Sequence, residues 1–215
     1  MKKIMFSDDY CLTQAVLAGT KTMTRRNFTL TLDKNVDGKL IRVYPSKVFF
    51  DNGKWLFDYE GRIYNLPKEN YPRYKVGEVV AIAQSYKSIA DERDEAETVL
   101  DLHKIGDNLL TMDEMGAGWN NKMFVKANLM KHHIRITDVK AERLQSISDA
   151  DILKEGVWQY PNLPMFFISK STGYTDDIAF PFAREAFSYL IDRISGKGTW
   201  ESNPWVVAYS FELVD

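Results

Sequence analysis

Between Gly19 and Arg26 the chain reads Gly-Thr-Lys-Thr-Met-Thr-Arg-Arg, which crowds hydroxyls, an amine and two guanidiniums into one short stretch. A threonine hydroxyl becomes a nucleophile only when a base takes its proton. A lysine amine serves as that base only when its pKa is lowered, usually by desolvation, and a nearby carboxylate pulls the other way. Lys21 and Thr24 are three apart. In an extended strand they would point to opposite faces, whereas in a turn they can converge. Gly19 favours a turn, so the two are expected to lie close together. The same residues also read as a solvated turn feeding a strand. Arg25 and Arg26 can hold a phosphate through paired N–H groups. Equally, they can form a surface pair, or one can be buried against an acid.

The elements that must position these groups follow from local pattern. Residues 3–7 read as a short strand. Ser7 or Asp8 then caps a helix running to about Ala18, with Asp8 and Asp9 in its first turn and Leu12, Ala15 and Val16 on its apolar face. Gly19 stands where a helix stops in a left-handed residue. Residues 38–66 read as a meander of strands, with Asn52-Gly53 the favoured hairpin pair. Val79 to Ala83 is a near-continuous apolar strand, which implies burial on both faces. His133 to Val139 alternates as a half-buried strand. Ser148 caps a short helix that Gly156 ends. Phe180 and Pro181 start a further helix with Phe182, Ala186, Phe187, Leu190, Ile191 and Ile194 on its apolar face, stopped by Gly196 and Gly198. Residues 204–211 form a final strand. Many short strands with a few helices predict an α+β fold whose sheet curls or closes into a small barrel.

Residues 87–120 are polar and acidic at first. They read as an insertion on a single domain spanning 1–215, with a helix from about 90 to 104, because their apolar content is too low for a separate core. Gly116 to Trp119 lacks the strand-then-helix setting of a phosphate loop.

Composition narrows the partners. The 215 residues carry a net charge of −2, with 45% hydrophobic and 13% aromatic content. A core is therefore affordable, and broad neutralisation of duplex DNA, which calls for a basic excess, is not expected. No apolar run approaches the roughly 18 residues needed to span a bilayer, and the start lacks a signal-peptide pattern. Cys11 is the only cysteine. An intrachain disulfide and a cysteine zinc site are excluded, in keeping with a reducing, cytoplasmic setting. The adjacent His132 and His133 point to opposite faces of a strand, so no metal site is assigned. No cofactor is called for. Asn121, Lys122 and Lys126 can line a cleft or lie in a solvated loop. Trp119 and Trp158, in polar settings, are the tryptophans best placed to stack on a base.

The stretch Val16 to Arg26 resembles the signature of ASCH domains, members of the PUA-like superfamily. The resemblance continues at Lys75 to Val80, at Ile134 to Leu144, at Ile147 to Gly156, and at Asn121 to Phe124. The C-terminal Asn203 to Phe211 looks like the closing strand of the longer, phage-type ASCH proteins. The resemblance implies a small PUA-like β-barrel with helices around a cleft that binds RNA or modified bases. It also implies a chemistry, since small bacterial ASCH proteins remove the acetyl group from N4-acetylcytidine with a lysine, a threonine and a glutamate. Carried over by motif, these fall on Lys21, Thr24 and Glu155. Thr24 would attack the acyl carbonyl, Lys21 would accept its proton, and Glu155 would orient or protonate the leaving amine. Backbone N–H groups of the Gly19 turn would stabilise the oxyanion. Where phage-type members often carry Arg-Glu-Thr, Ala83-Gln84-Ser85 stands, making Gln84 a candidate ligand contact beside Gly19, Arg25, Arg26, Asn121 and Lys122.

Two functions of different class follow: a binder of RNA or of a modified nucleoside or nucleotide, and an amidohydrolase on N4-acylated cytidine. A third would use the insertion to bind a protein partner. The sequence does not specify an oligomeric state.

Overall fold

Two long strands organise the molecule, and their alternating sequences explain why. The computed structural model describes residues 1–30, 32–36, 39–92, 120–170 and 177–214. Strand β9 (His133–Arg143) pairs antiparallel with β13 (Trp205–Leu213), from Trp205 opposite Arg143 to Leu213 opposite Ile134. The register shifts at Ser210/Phe211, a bulge of the kind that bends a strand. Ile134 and Ile136 send their side chains into the core, while Arg135 between them stays exposed.

Three further strands complete this sheet. Strand β8 (Val79–Ile82) runs antiparallel to β9, β1 (Lys3–Ile4) runs parallel to β8, and β2 (Met23–Asn27) runs antiparallel to β13. The order is β1-β8-β9-β13-β2. The apolar run at β8 is buried on both faces, as its sequence predicts. Val80 and Ile82 join the main core, whereas Ala81 and Ala83 pack on the other side with Ile89, Val125 and Met130.

Smaller sheets surround it. The hairpin β3 (Asp33–Val36) and β4 (Lys39–Arg42) precedes the meander β5 (Lys47–Asp51), β6 (Lys54–Tyr59) and β7 (Arg62–Asn65). At the β5–β6 turn Asn52 and Gly53 have φ of 46° and 79°, the left-handed pair that Asn-Gly tolerates and a twisted hairpin needs. Strands β10 (Trp158–Gln159), β11 (Phe166–Ile168) and β12 (Ile178–Phe180) form a third small sheet.

Among the described residues the α-helices are α1 (Leu12–Leu17), α2 (Tyr86–Asp91), α3 (Asp149–Lys154), α4 (Ala183–Ser195) and α5 (Thr199–Ser202). Separate helices beside mostly antiparallel sheets make the fold α+β. The expected barrel does not close among the described residues, because β1 and β2 remain the edges of the five-stranded sheet.

Two local expectations need correction. Helix α1 begins at Leu12, not at residue 8. Residues 8–11 form a turn closed by the Cys11 N–H donating to the Asp8 carbonyl and the Leu12 N–H donating to that of Ser7. The Asp8 carboxylate accepts from Thr13 Oγ1 and Lys122 Nζ instead of capping the helix. At α4, Phe180 belongs to β12, and Phe182 precedes the helix and is exposed. The buried face is Ala183, Ala186, Phe187, Leu190 and Ile191. The insertion's helix expected at 90–104 falls outside the described residues beyond position 92, as do Gly116 and Trp119.

Candidate functional site

Helix α1 buries Leu12 and Val16 and then stops abruptly. Gly19 takes φ 71°, the Gly19 N–H donates to the Val16 carbonyl and the Thr20 N–H to that of Ala15. This closes the last helical carbonyls in the manner of a glycine-terminated helix. The reversal brings Lys21 into the interior two residues before β2 begins. The Thr22 N–H donates to the Lys154 carbonyl at 3.0 Å, fastening this turn to the end of α3.

Helix α3 is built for the same junction. Ser148 Oγ accepts the Asp151 N–H, as its sequence predicts, and acids occupy the first turn where the helix dipole favours them. The helix gives way at Glu155 and Gly156. Gly156 has φ 103°, and a Cβ there would lie 2.7 Å from Leu12 Cδ2. Only glycine allows α3 to end so close to α1, and that approach carries Glu155 to Lys21.

The result is a buried, paired cluster of charge. Lys21 is 2% exposed and Glu155 4%. Lys21 Nζ donates to Glu155 Oε2 at 2.9 Å, to the Glu155 carbonyl at 2.6 Å and to the Met23 carbonyl at 2.7 Å. All three ammonium protons are thereby engaged. Arg25 Nη1 donates to Glu155 Oε1 at 2.9 Å, while its Nε and Nη2 donate to Glu142 Oε1 at 2.9 and 2.6 Å. Glu142 also pairs with Lys140 at 2.7 Å. Burial draws the Lys21 pKa below its ordinary value, and the Glu155 charge opposes that shift.

Beside this cluster lies a cavity of about 220 Å³. Lys21, Thr24, Arg25, Arg26 and Glu155, with Ser7, Asn27 and Ser195, supply its polar lining, Phe6 and Leu12 form one wall, and α4 covers it with Phe187, Leu190 and Ile191. Thr24 is buried, yet its hydroxyl finds no hydrogen-bond partner among the described residues. Arg26 Nη2 donates to the Met5 carbonyl, and the guanidinium lies 5.6 Å over the Phe6 ring. Its Nε is buried and unpaired.

Five of the residues singled out from sequence thus meet at one place: Lys21, Thr24, Arg25, Arg26 and Glu155. Within that set Arg25 serves as a strut between two carboxylates, the buried-arginine alternative its sequence left open. Gly19 shapes the turn but does not line the cavity. The N–H groups of its turn, expected as oxyanion donors, are spent on Val16, Ala15 and Lys154 carbonyls. Gln84 also lies elsewhere. Its amide donates to Glu92 Oε2 at 2.9 Å and accepts the Lys131 N–H at 2.8 Å, and it is not among the residues that line the cavity. Asn121 caps its own loop by accepting the Met123 N–H. Lys122 is anchored to Asp8, Thr13 and the Phe6 carbonyl, behind the cavity wall rather than in it.

Compared with protein-family models, curated proteins and solved structures, the chain matches none.

Glu142 and Asp151, the latter 3.6 Å from Arg25 Nη2, are the partners that reading the sequence missed. Glu142 falls beyond the alternating stretch that marks its strand, and only the β9–β13–β2 pairing carries it to Arg25. Trp158 stacks on Phe167 at 4.8 Å and donates through Nε1 to Ser169, so its ring is committed within the third small sheet. Trp119 lies outside the described residues. Among the described residues no group of three histidine, cysteine or acidic side chains is placed to hold a metal ion, and no helix is long and apolar enough to cross a membrane.

Proposed function

We propose that the chain is an ASCH-type, PUA-like protein whose cavity beside Lys21 and Thr24 receives the base of a nucleoside or nucleotide, free or within RNA. The observation that carries this is the Thr24 hydroxyl, which makes no hydrogen bond among the described residues and lines the cavity. A hydroxyl that faces a cavity with both its donor and acceptor capacity unused can bond a ligand's polar edge. The cavity is slightly smaller than the several hundred Å³ typical of drug-sized ligands, which suits one flat ring better than a longer molecule. Apolar groups of Phe6 and α4 offer it faces, and Thr24 with Arg26 offers it hydrogen bonds.

Binding is favoured over hydrolysis by the state of Lys21. A general base needs a free lone pair, and here each ammonium proton already meets an oxygen. Deprotonation would turn that lone pair toward two carbonyls and a carboxylate. The second function, deacylation of N4-acylated cytidine by Lys21, Thr24 and Glu155, retains one supporting observation: the nucleophile candidate is open to the cavity in which the amine and the acid also lie.

The test is a titration of the full chain with cytidine, N4-acetylcytidine and short single-stranded RNA, alongside an assay for released acetate. Binding without acetate release, weakened by Thr24→Val, is the expected result. Acetate release abolished by both Lys21→Ala and Thr24→Ala would establish the hydrolase instead. The absence of binding and of turnover would refute both.

A further inference from the structure

The charges around the cavity do not cancel evenly. Lys21 is answered by Glu155, and Arg25 by Glu142 and Glu155. Arg26 is different. No carboxylate pairs with it among the described residues, one backbone carbonyl accepts from Nη2, and Nε is sealed from solvent with no acceptor. The Phe6 face beneath it softens the charge without neutralising it.

A guanidinium carries five N–H donors in a fixed fork, and with Nε sealed it is Nη1, with the second hydrogen of Nη2, that is left to grip a phosphate or carboxylate with two parallel bonds. Arg26 is half-buried, and a partly desolvated cation without a counter-charge is a natural place for a ligand to supply one. The alternation of β2 accounts for the difference between neighbours. Arg25 faces the side shared with Lys140 and Glu142, whereas Arg26 and Thr24 project together from the other side.

We infer that the ligand is an anion, and that Arg26 is the residue that holds its negative group, a phosphate or carboxylate, while the ring occupies the cavity at Thr24. This rests on the cavity being a base pocket and adds a substrate class to it: a nucleotide in preference to the neutral nucleoside. The two sources of negative charge share the chemistry of a two-oxygen acceptor and are separable by experiment.

The test is calorimetric binding of the full chain to cytidine, cytidine 5′-monophosphate, inorganic phosphate and acetate, with Arg26→Ala and Arg26→Gln beside wild type. Circular dichroism and thermal unfolding check that each variant folds. In wild type the monophosphate should bind at least about tenfold more tightly than the nucleoside, and inorganic phosphate should compete with it. Both variants should bring the ratio close to one. Competition by acetate but not phosphate, with no gain from the 5′-phosphate, would assign Arg26 to a carboxylate ligand and overturn the nucleotide assignment. Equal binding of nucleoside and monophosphate in wild type, with no competition by either anion, overturns the anion inference and leaves the base pocket standing. Binding of phosphate through Arg26 without binding of either cytidine compound supports the anion site while removing the base pocket. If both variants unfold, competition in wild type decides alone.

Discussion

Lys21 Nζ grips Glu155 twice, through the carboxylate at 2.9 Å and through the backbone carbonyl at 2.6 Å, across 134 positions of sequence. The double contact fixes both the side chain of the acid and the point where α3 ends. It makes the pair an architectural joint of the cavity as well as a charged lining for it.

Breaking the joint from one side should therefore be severe. Glu155→Gln leaves Lys21 and Arg25 Nη1 without their shared counter-charge, and removing one member of a buried pair costs about 3–5 kcal/mol. Lys21→Met should cost a similar amount, and the double variant should cost less than the sum of the two. Urea unfolding of the three variants checks this. A loss below about 1 kcal/mol for Glu155→Gln would show that the pair bears little of the fold.

Thr24→Val should separate ligand affinity from stability. Because the hydroxyl has no protein partner, the near-isosteric change should alter unfolding free energy by less than about 1 kcal/mol. Base affinity should drop by a few-fold to about tenfold, the value of one hydrogen bond. Parallel calorimetry and thermal unfolding provide the comparison.

At Gly156 two costs combine. The left-handed φ of 103° strains any other residue, and the new Cβ would meet Leu12 Cδ2 at 2.7 Å. Gly156→Ala should destabilise by about 1–3 kcal/mol. It should also weaken ligand binding, since α1 and α3 would be pushed apart at the cavity. Urea denaturation midpoints of Gly156→Ala beside wild type check the loss.

Acid titration should single out Asp192. Its carboxylate accepts the Trp200 N–H at 2.8 Å and the Gly198 N–H at 3.0 Å, and these bonds hold its pKa below the usual aspartate value of 3.8. A depressed folded value means that the unfolded chain binds the proton first. The stabilisation is thus fully present above the unfolded value of about 3.9 and is lost as pH falls through the folded one. NMR titration should place the Asp192 midpoint below 3.8, and Asp192→Asn should flatten the acid limb of the stability curve.

How much of this was legible depended on the range of the interaction. The Gly19 stop, the Ser148 cap and the Asn52-Gly53 turn each rest on the conformational limits of a few consecutive residues, so local pattern sufficed. The buried run at Val80 to Ile82 was equally plain. The start of α1 was not, because Ser7 and Asp8 satisfy the usual cap preference but Asp8 is taken by Thr13 and Lys122. Gln84 lies away from the cavity for a related reason: its place just after β8 is clear from sequence, but its partners Glu92 and Lys131 are not.

By itself the amino-acid sequence determined the α+β class, the turn that delivers Lys21, and the helix that ends at Glu155, since backbone preference and apolar periodicity act over a few residues. Tertiary structure alone decided which charges are answered. Whether Arg25 meets Glu142, and whether Arg26 meets any carboxylate, depends on strand register and on the face each side chain takes. Coulomb attraction and desolvation act through space, and neither follows the order of the chain.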